Sequence, residues 1–159
     1  MEASFIVYRV QHHFRNFLKR TIKAPKLFFY YVGFVSFLLG VEKIEHLINH
    51  PLKGALFETL VMGELVKARY NAVKSNNFFF FRDNSGHEVD CLVDKGSYCV
   101  PIEVKSSQTV NESFFDNLIF YNALQKNMAK PILIYGGMET YSRETADVVS
   151  FKDLHTIDL

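Results

Sequence analysis

The 159-residue sequence has only two cysteines, almost no excess of either charge and no hydrophobic run long enough to cross a bilayer. Each shortage removes a class of protein. Two cysteines cannot build a disulfide framework, which favours a reducing, cytoplasmic setting. A net charge of +1 gives no global pull toward nucleic acid or a membrane surface, so such contacts must rest on local patches. The greasiest stretch, Leu27 to Gly40, is about fourteen residues, shorter than a spanning helix and better suited to a buried core. Met1 to Val10 carries Glu2 and Arg9 without a long apolar centre, which is not the pattern of a secretory signal. No Gly-x-x-x-x-Gly-Lys-Ser/Thr loop occurs, so no nucleotide site of the P-loop kind is expected. There is no internal repeat. What is present is a globular composition, 48% hydrophobic and 22% charged, with 16 Phe and 8 Tyr. The length suits one ordinary domain with a short appendage.

The chain divides near Pro51, giving an N-terminal extension over 1–50 and a main domain over 51–159. In the extension, Ser4 to Val10 reads as a strand and Arg15 to Lys26 as a basic segment broken at Pro25. Leu27 to Tyr31 reads as a strand, Val35 to Gly40 as a helical turn or two stopped by glycine, and Val41 to Asn49 as a polar helix. Beyond Gly54, the spacing of apolar residues predicts a long helix over Ala55 to Lys74 and strands over Phe78 to Arg82, Glu88 to Asp94 and Tyr98 to Lys105. A second helix over Val110 to Asn127 and a strand over Pro131 to Tyr135, ended by Gly136-Gly137, complete an α-β-β-β-α-β order. That is an α/β sandwich with a mixed sheet flanked by helices. Met138 to Leu159 stays unassigned.

The central hairpin carries the chemistry. Alternation puts Val89, Cys91 and Val93 on one face of its first strand, and Val100, Ile102 and Val104 on one face of its second. Burying both sets on the same side fixes the register parity and turns Asp90, Glu103 and Lys105 to a common opposite face. A four-residue loop, Lys95 to Tyr98, sets Asp90 directly across from Glu103 at about 5 Å between Cβ atoms. Two carboxylates that close repel by about 4 kcal/mol at an effective dielectric near 20. Lys105 offsets part of this, and a divalent cation is the other obvious partner, since magnesium is held by one or two carboxylates plus waters. Such a metal lowers the pKa of bound water and stabilises charge developing on phosphate. The plain alternative is a solvated face with one Glu–Lys pair, and surface pairs of that kind contribute little.

Glu58 has Ala55, Val61 and Met62 as its helical neighbours. A carboxylate in that company needs a partner or a metal, unless it simply occupies the first helical turn, where negative charge suits the dipole. Arg15, Lys19, Arg20, Lys23 and Lys26 alternate with Phe14 and Phe17, which suits backbone contact with nucleic acid, although a solvated linker face has the same composition. His46 and His50 have the spacing of a helical zinc pair, with Glu42 nearby, but no fourth ligand accompanies them. Cys91 and Cys99 fall on opposite hairpin faces, which argues against a bridge.

A helix with an inward Glu, Gly86-His87-Glu88-Val89-Asp90, then Pro101-Ile102-Glu103-Val104-Lys105-Ser106-Ser107, then helix and strand, resembles the PD-(D/E)XK nuclease-like fold. More narrowly, Lys23 to Tyr30, Gly54 to Glu58, Phe81-Arg82-Asp83 and those two stretches resemble the C-terminal domain of a prokaryotic AAA-type ATPase family. The resemblance implies Asp90 and Glu103 as metal-binding acids, Lys105 as the catalytic lysine and Glu58 as the helix acid that joins them. It implies Mg2+ or Mn2+ as cofactor, DNA as substrate and an ATPase domain on the same polypeptide, with residues 4 to 23 as the tail of a winged-helix-like linker. Tyr31-Val32 stand where that family has Asp-Thr before glycine, so a polar capping role there is not expected. Hydrolysis of a phosphodiester is the leading expectation, and a non-catalytic DNA- or protein-binding module that keeps the fold is the alternative. A module that docks on its own ATPase would expose apolar residues around Phe28 to Phe37.

Overall fold

The computed structural model describes residues 4–13, 24–125 and 129–158. Arg15, Lys19, Arg20 and Lys23, the candidates for nucleic-acid contact in the basic segment, lie outside the described residues.

Among the described residues, eight strands form one mixed sheet in the order β2-β1-β3-β4-β5-β6-β8-β7. In sequence these are β1 (Val7–His12), β2 (Lys26–Phe29), β3 (Phe78–Arg82), β4 (Glu88–Asp94), β5 (Cys99–Lys105), β6 (Ile132–Tyr135), β7 (Tyr141–Ser142) and β8 (Asp147–Ser150). Four helices accompany them: α1 (Val32–Leu38), α2 (Glu45–Ile48), α3 (Lys53–Asn71) and α4 (Asp116–Ala123). β1 runs parallel to β3 and antiparallel to β2, so the sheet continues from the main domain into the extension. β5, β6 and β8 are mutually parallel neighbours.

The sheet separates two apolar clusters. On one face α3 buries Val61, Met62, Leu65 and Val66 against Cys91, Val93, Ile102, Val104 and Ile134. On the other, Phe115, Leu118 and Tyr121 from α4 and the 3-10 turn before it cover Val89, Leu92, Leu133 and Tyr135. Both helices are proline-free amphipathic segments whose apolar stripes need a sheet face to cover them. Among the described residues no helix is long and apolar enough to cross a membrane.

The structure corrects several expected boundaries. The polar helix over Val41 to Asn49 shrinks to the single turn Glu45–Ile48. The helix expected over Val110 to Asn127 is instead a 3-10 turn, Glu112–Phe115, capped by the Asn111 side chain, followed by Asp116–Ala123. Asn111 competes for the backbone there and sets the start. The unassigned C-terminal stretch supplies β7 and β8, which widen the sheet. Tyr31, at the N-terminus of α1, makes no side-chain capping bond, in line with the missing Asp-Thr pair.

A correction with functional weight concerns β4. Val89 does not share a face with Cys91 and Val93; it packs in the α4 cluster beside Leu92. Phe79 pairs with Leu92 and Phe81 with Val89, so two steps along β3 match three along β4. This is a β-bulge around Asp90, and a bulge re-aims side chains and ends regular pairing.

Candidate active site

The hairpin register is the one its four-residue loop predicts. Asp94 pairs with Cys99 and Cys91 with Ile102, and the paired register ends there, one residue short of Asp90 and Glu103. The common face does not hold for all three residues, however. Glu103 and Lys105 point to the α4 side, where Lys105 Nζ lies 5.9 Å from the centre of the Phe114 ring. Asp90, at the bulge, accepts the Val104 backbone N–H through Oδ2 at 2.9 Å. Its carboxylate therefore lies between the strands, where it can address both sheet faces.

On the α3 side Asp90 and Glu58 share one cation. Glu58 sits more than a turn inside α3, so the helix dipole alone does not account for it. Its partner is Lys26, from the start of β2, with Nζ 3.0 Å from Glu58 Oε1, 2.5 Å from Glu88 Oε1 and 3.5 Å from Asp90 Oδ1. Glu88 also binds Arg82, whose Nε donates to Oε2 at 2.6 Å. On the α4 side Lys105 Nζ binds Glu103 Oε1 at 2.6 Å.

Electrostatics divide the three glutamates. Burial, then the nearby Asp90 charge, pushes Glu103 up to about 7, with Lys105 and the Asn117 side chain drawing it back. Burial and Asp90 also raise Glu58, against the pull of Lys26. Glu88 is lowered, because Lys26 and Arg82 together outweigh its partial burial. For Lys26, burial favours the neutral amine, but Asp90 and Glu58 outweigh it and hold the group firmly as an ammonium. Lys105 is likewise held charged, by Glu103 against burial. Glu103 is only 2% exposed, and its Oε2 is buried without a hydrogen-bond partner among the described residues.

No three His, Cys, Asp or Glu side chains among the described residues form a ready metal cage. The donors do fit a looser site. Magnesium needs one or two protein carboxylates and completes its shell with water and phosphate, and the orphaned Glu103 Oε2 is an acceptor without a donor. Asp90, Glu103 and Lys105 are brought together with Glu58 on the far side of Asp90. His46 and His50 are not brought into a zinc site: Nδ1 of each accepts a backbone N–H, from Glu42 and Leu52 respectively. Cys91 and Cys99 are both buried and form no disulfide with each other.

Sequence reasoning gave two members of the cluster a different part: Lys26 as a nucleic-acid contact, and Glu88 as a motif residue beside Asp90 without a site role. Lys26 is held inward among acids, away from the solvated role that its basic neighbours suggested. Glu88 joins through Lys26 and Arg82. The available signal was the i, i+2 spacing of Glu88 and Asp90; nothing local to Lys26 pointed across 64 residues to Asp90.

No curated protein and no solved structure matches the chain. Residues 53–154, well over half of it, match the family model described as Domain of unknown function (DUF4143). The matched range starts with α3 and takes in Glu58, Glu88, Asp90, Glu103 and Lys105, leaving Lys26 before it. The chain belongs to that family of unknown function, DUF4143.

Proposed function

We propose that this domain is a PD-(D/E)XK nuclease-like module that hydrolyses phosphodiester bonds in DNA with Mg2+ or Mn2+, in the cytoplasm and joined to an ATPase domain. The observation that carries the reading is the buried Glu103, bound by Lys105 and close enough to Asp90 to feel its charge, with an acceptor oxygen left unpaired. Asp90 and Glu103 would hold the ion, with Glu58 supporting its water shell from α3. The ion would lower the pKa of its bound water and take up charge on the phosphate. Lys105, an ammonium at neutral pH, positions the attacking water and steadies the developing negative charge rather than removing a proton. Water would attack phosphorus and give up a proton to bulk solvent, the P–O bond to the leaving oxygen would break, and the departing alkoxide would take up a proton from solvent, so that protons balance.

Magnesium titration by calorimetry and a plasmid-cleavage assay on the chain, beside Asp90→Ala and Lys105→Ala, test this. Each substitution should lower cleavage at least ~100-fold, and Asp90→Ala should also abolish the binding heat. Cleavage that survives both substitutions sinks the assignment.

The second reading, a non-catalytic protein-binding module that keeps the fold, has its own observation. Tyr31, Phe34, Phe37, Leu38, Ile44 and Ile48 are all exposed. Of these, Ile44 and Ile48 line a groove of about 350 Å³ between α1, α2 and α3, together with Val32, Leu47, Leu56 and Phe57. Contiguous apolar surface of this kind marks interaction sites. Self-association of the isolated chain in static light scattering, without metal binding or cleavage, would favour it, and a strictly monodisperse monomer would count against it.

A further inference from the structure

We propose that the Lys26 ammonium is a built-in counter-ion of the acidic site and competes with the divalent cation for it. The inference rests on the metal-site reading above and adds an element that nothing in the family description or the hairpin motif assigns.

The geometry carries it. Lys26 starts β2 and reaches past the Phe80 ring, 5.5 Å from its centre, into a space walled by α3 and β4. There it meets three carboxylates from two different elements: Glu58, Glu88 and Asp90. An ammonium has three N–H donors, so this arrangement saturates it. Its side chain is only 17% exposed, which leaves little room for a hydrated ion beside it. The contact with Asp90 is the longest of the three at 3.5 Å, so the lysine is anchored by Glu58 and Glu88 and only leans on the proposed metal ligand.

The second, independent observation lies across the strands. Glu103 is 2% exposed and its Oε2 is unpaired, although Lys105 binds the other oxygen. The cluster therefore holds Glu58, Glu88, Asp90 and Glu103 against Lys26, Lys105 and Arg82, with one acceptor atom still unsatisfied. A divalent ion entering between Asp90 and Glu103 would add its charge next to the Lys26 ammonium, and the like charges would repel. Ion entry then requires Lys26 to give up Asp90, and removal of its charge should ease entry.

The test is Mn2+ binding by calorimetry together with thermal unfolding, on the whole chain and on Lys26→Met, Lys26→Arg and the double variant Lys26→Met with Glu88→Gln. The double variant keeps the overall charge balance and guards against a fold lost to repulsion. Competition predicts that Lys26→Met and the double variant bind Mn2+ at least tenfold more tightly than the wild type, while Lys26→Arg stays within about threefold. It also predicts a larger Mn2+-dependent rise in unfolding temperature for Lys26→Met than for the wild type. If the wild type binds Mn2+ and the two methionine variants bind it no more tightly, competition is wrong and the metal site stands. If no protein in the set binds Mn2+, both the competition and the metal-site reading fall.

Discussion

Glu103→Gln is the sharpest probe of the site, because it separates the stability of the domain from its chemistry. In the folded chain the Glu103 carboxyl titrates near 7, against an ordinary value of 4.5, because it is buried and faces Asp90. A carboxyl raised in this way binds its proton more tightly in the folded state than in the unfolded one. Between about pH 4.5 and 7 the folded state therefore holds more protons, and stability falls as pH rises through that window. At about 1.4 kcal/mol per pKa unit, the penalty above pH 7 is at most about 3–4 kcal/mol, and relaxation around the charged group lowers it. That figure already includes the favourable bond to Lys105, since the shift is the net effect of the whole surroundings. Gln is isosteric, cannot ionise and still offers an oxygen to Lys105. The variant should therefore match the wild type near pH 4.5 and exceed it by 2 to 3 kcal/mol, roughly, at pH 8. For a chain of this size that is a rise of roughly 5–10 °C in unfolding temperature. Urea unfolding at the two pH values is the assay, with metal removed by chelation. A Glu103→Gln protein that is less stable than the wild type at pH 8 would refute the argument. It would mean that the Glu103–Lys105 pair outweighs the repulsion from Asp90.

Two further predictions concern the frame. Val73 follows α3 with φ of 56° and is 95% exposed, and its N–H and that of Lys74 close the helix onto Tyr70 and Arg69. This is a position that glycine occupies without strain, so Val73→Gly should raise stability by about 1 kcal/mol in denaturant unfolding. Gly136 lies against the loop that follows Lys105, and a Cβ there would stand 2.8 Å from the Ser106 carbonyl oxygen. Gly136→Ala should cost about 2–4 kcal/mol by the same assay and weaken Mn2+ binding, because the strand end that carries Lys105 must shift.

The frame was largely legible because its signals are local. The strand Phe78–Arg82 and the strand Glu88–Asp94 have the limits that their apolar residues and turn residues predict. Gly40 and Gly86 adopt the positive φ values that a helix stop and a tight turn require. The long helix is displaced by only two or three residues at each end. The C-terminal strands were not legible. β7 has two residues and β8 four, and short strands buried by their neighbours carry too little periodicity to be distinguished from loop. The hairpin acids were legible through strand alternation, and Lys26 was not. Its ion pairs with Glu58 and Asp90 span 32 and 64 residues, and no local pattern encodes a contact of that range.

The bulge explains why alternation succeeds for β5 and fails for β4. In β5 an unbroken ladder keeps Ile102 and Val104 on the α3 face and Glu103 and Lys105 on the other. Had β4 been equally regular, Asp90 would have lain wholly on the face of Glu103, and Glu58 on α3 would have had the sheet between itself and both acids. The extra residue in β4 turns Val89 into the α4 core and releases Asp90 into the gap between the strands, where Oδ2 takes the Val104 N–H. One carboxylate then binds Lys26, which it shares with Glu58 on the α3 side, while its charge also bears on Glu103. The sheet is thus not a barrier between the helix acid and the hairpin pair, and a cluster drawn from both of its faces meets at a single irregular residue. Strand parity could place Glu103 and Lys105 together, but only the break in parity at Asp90 lets α3 and β2 take part in the same site.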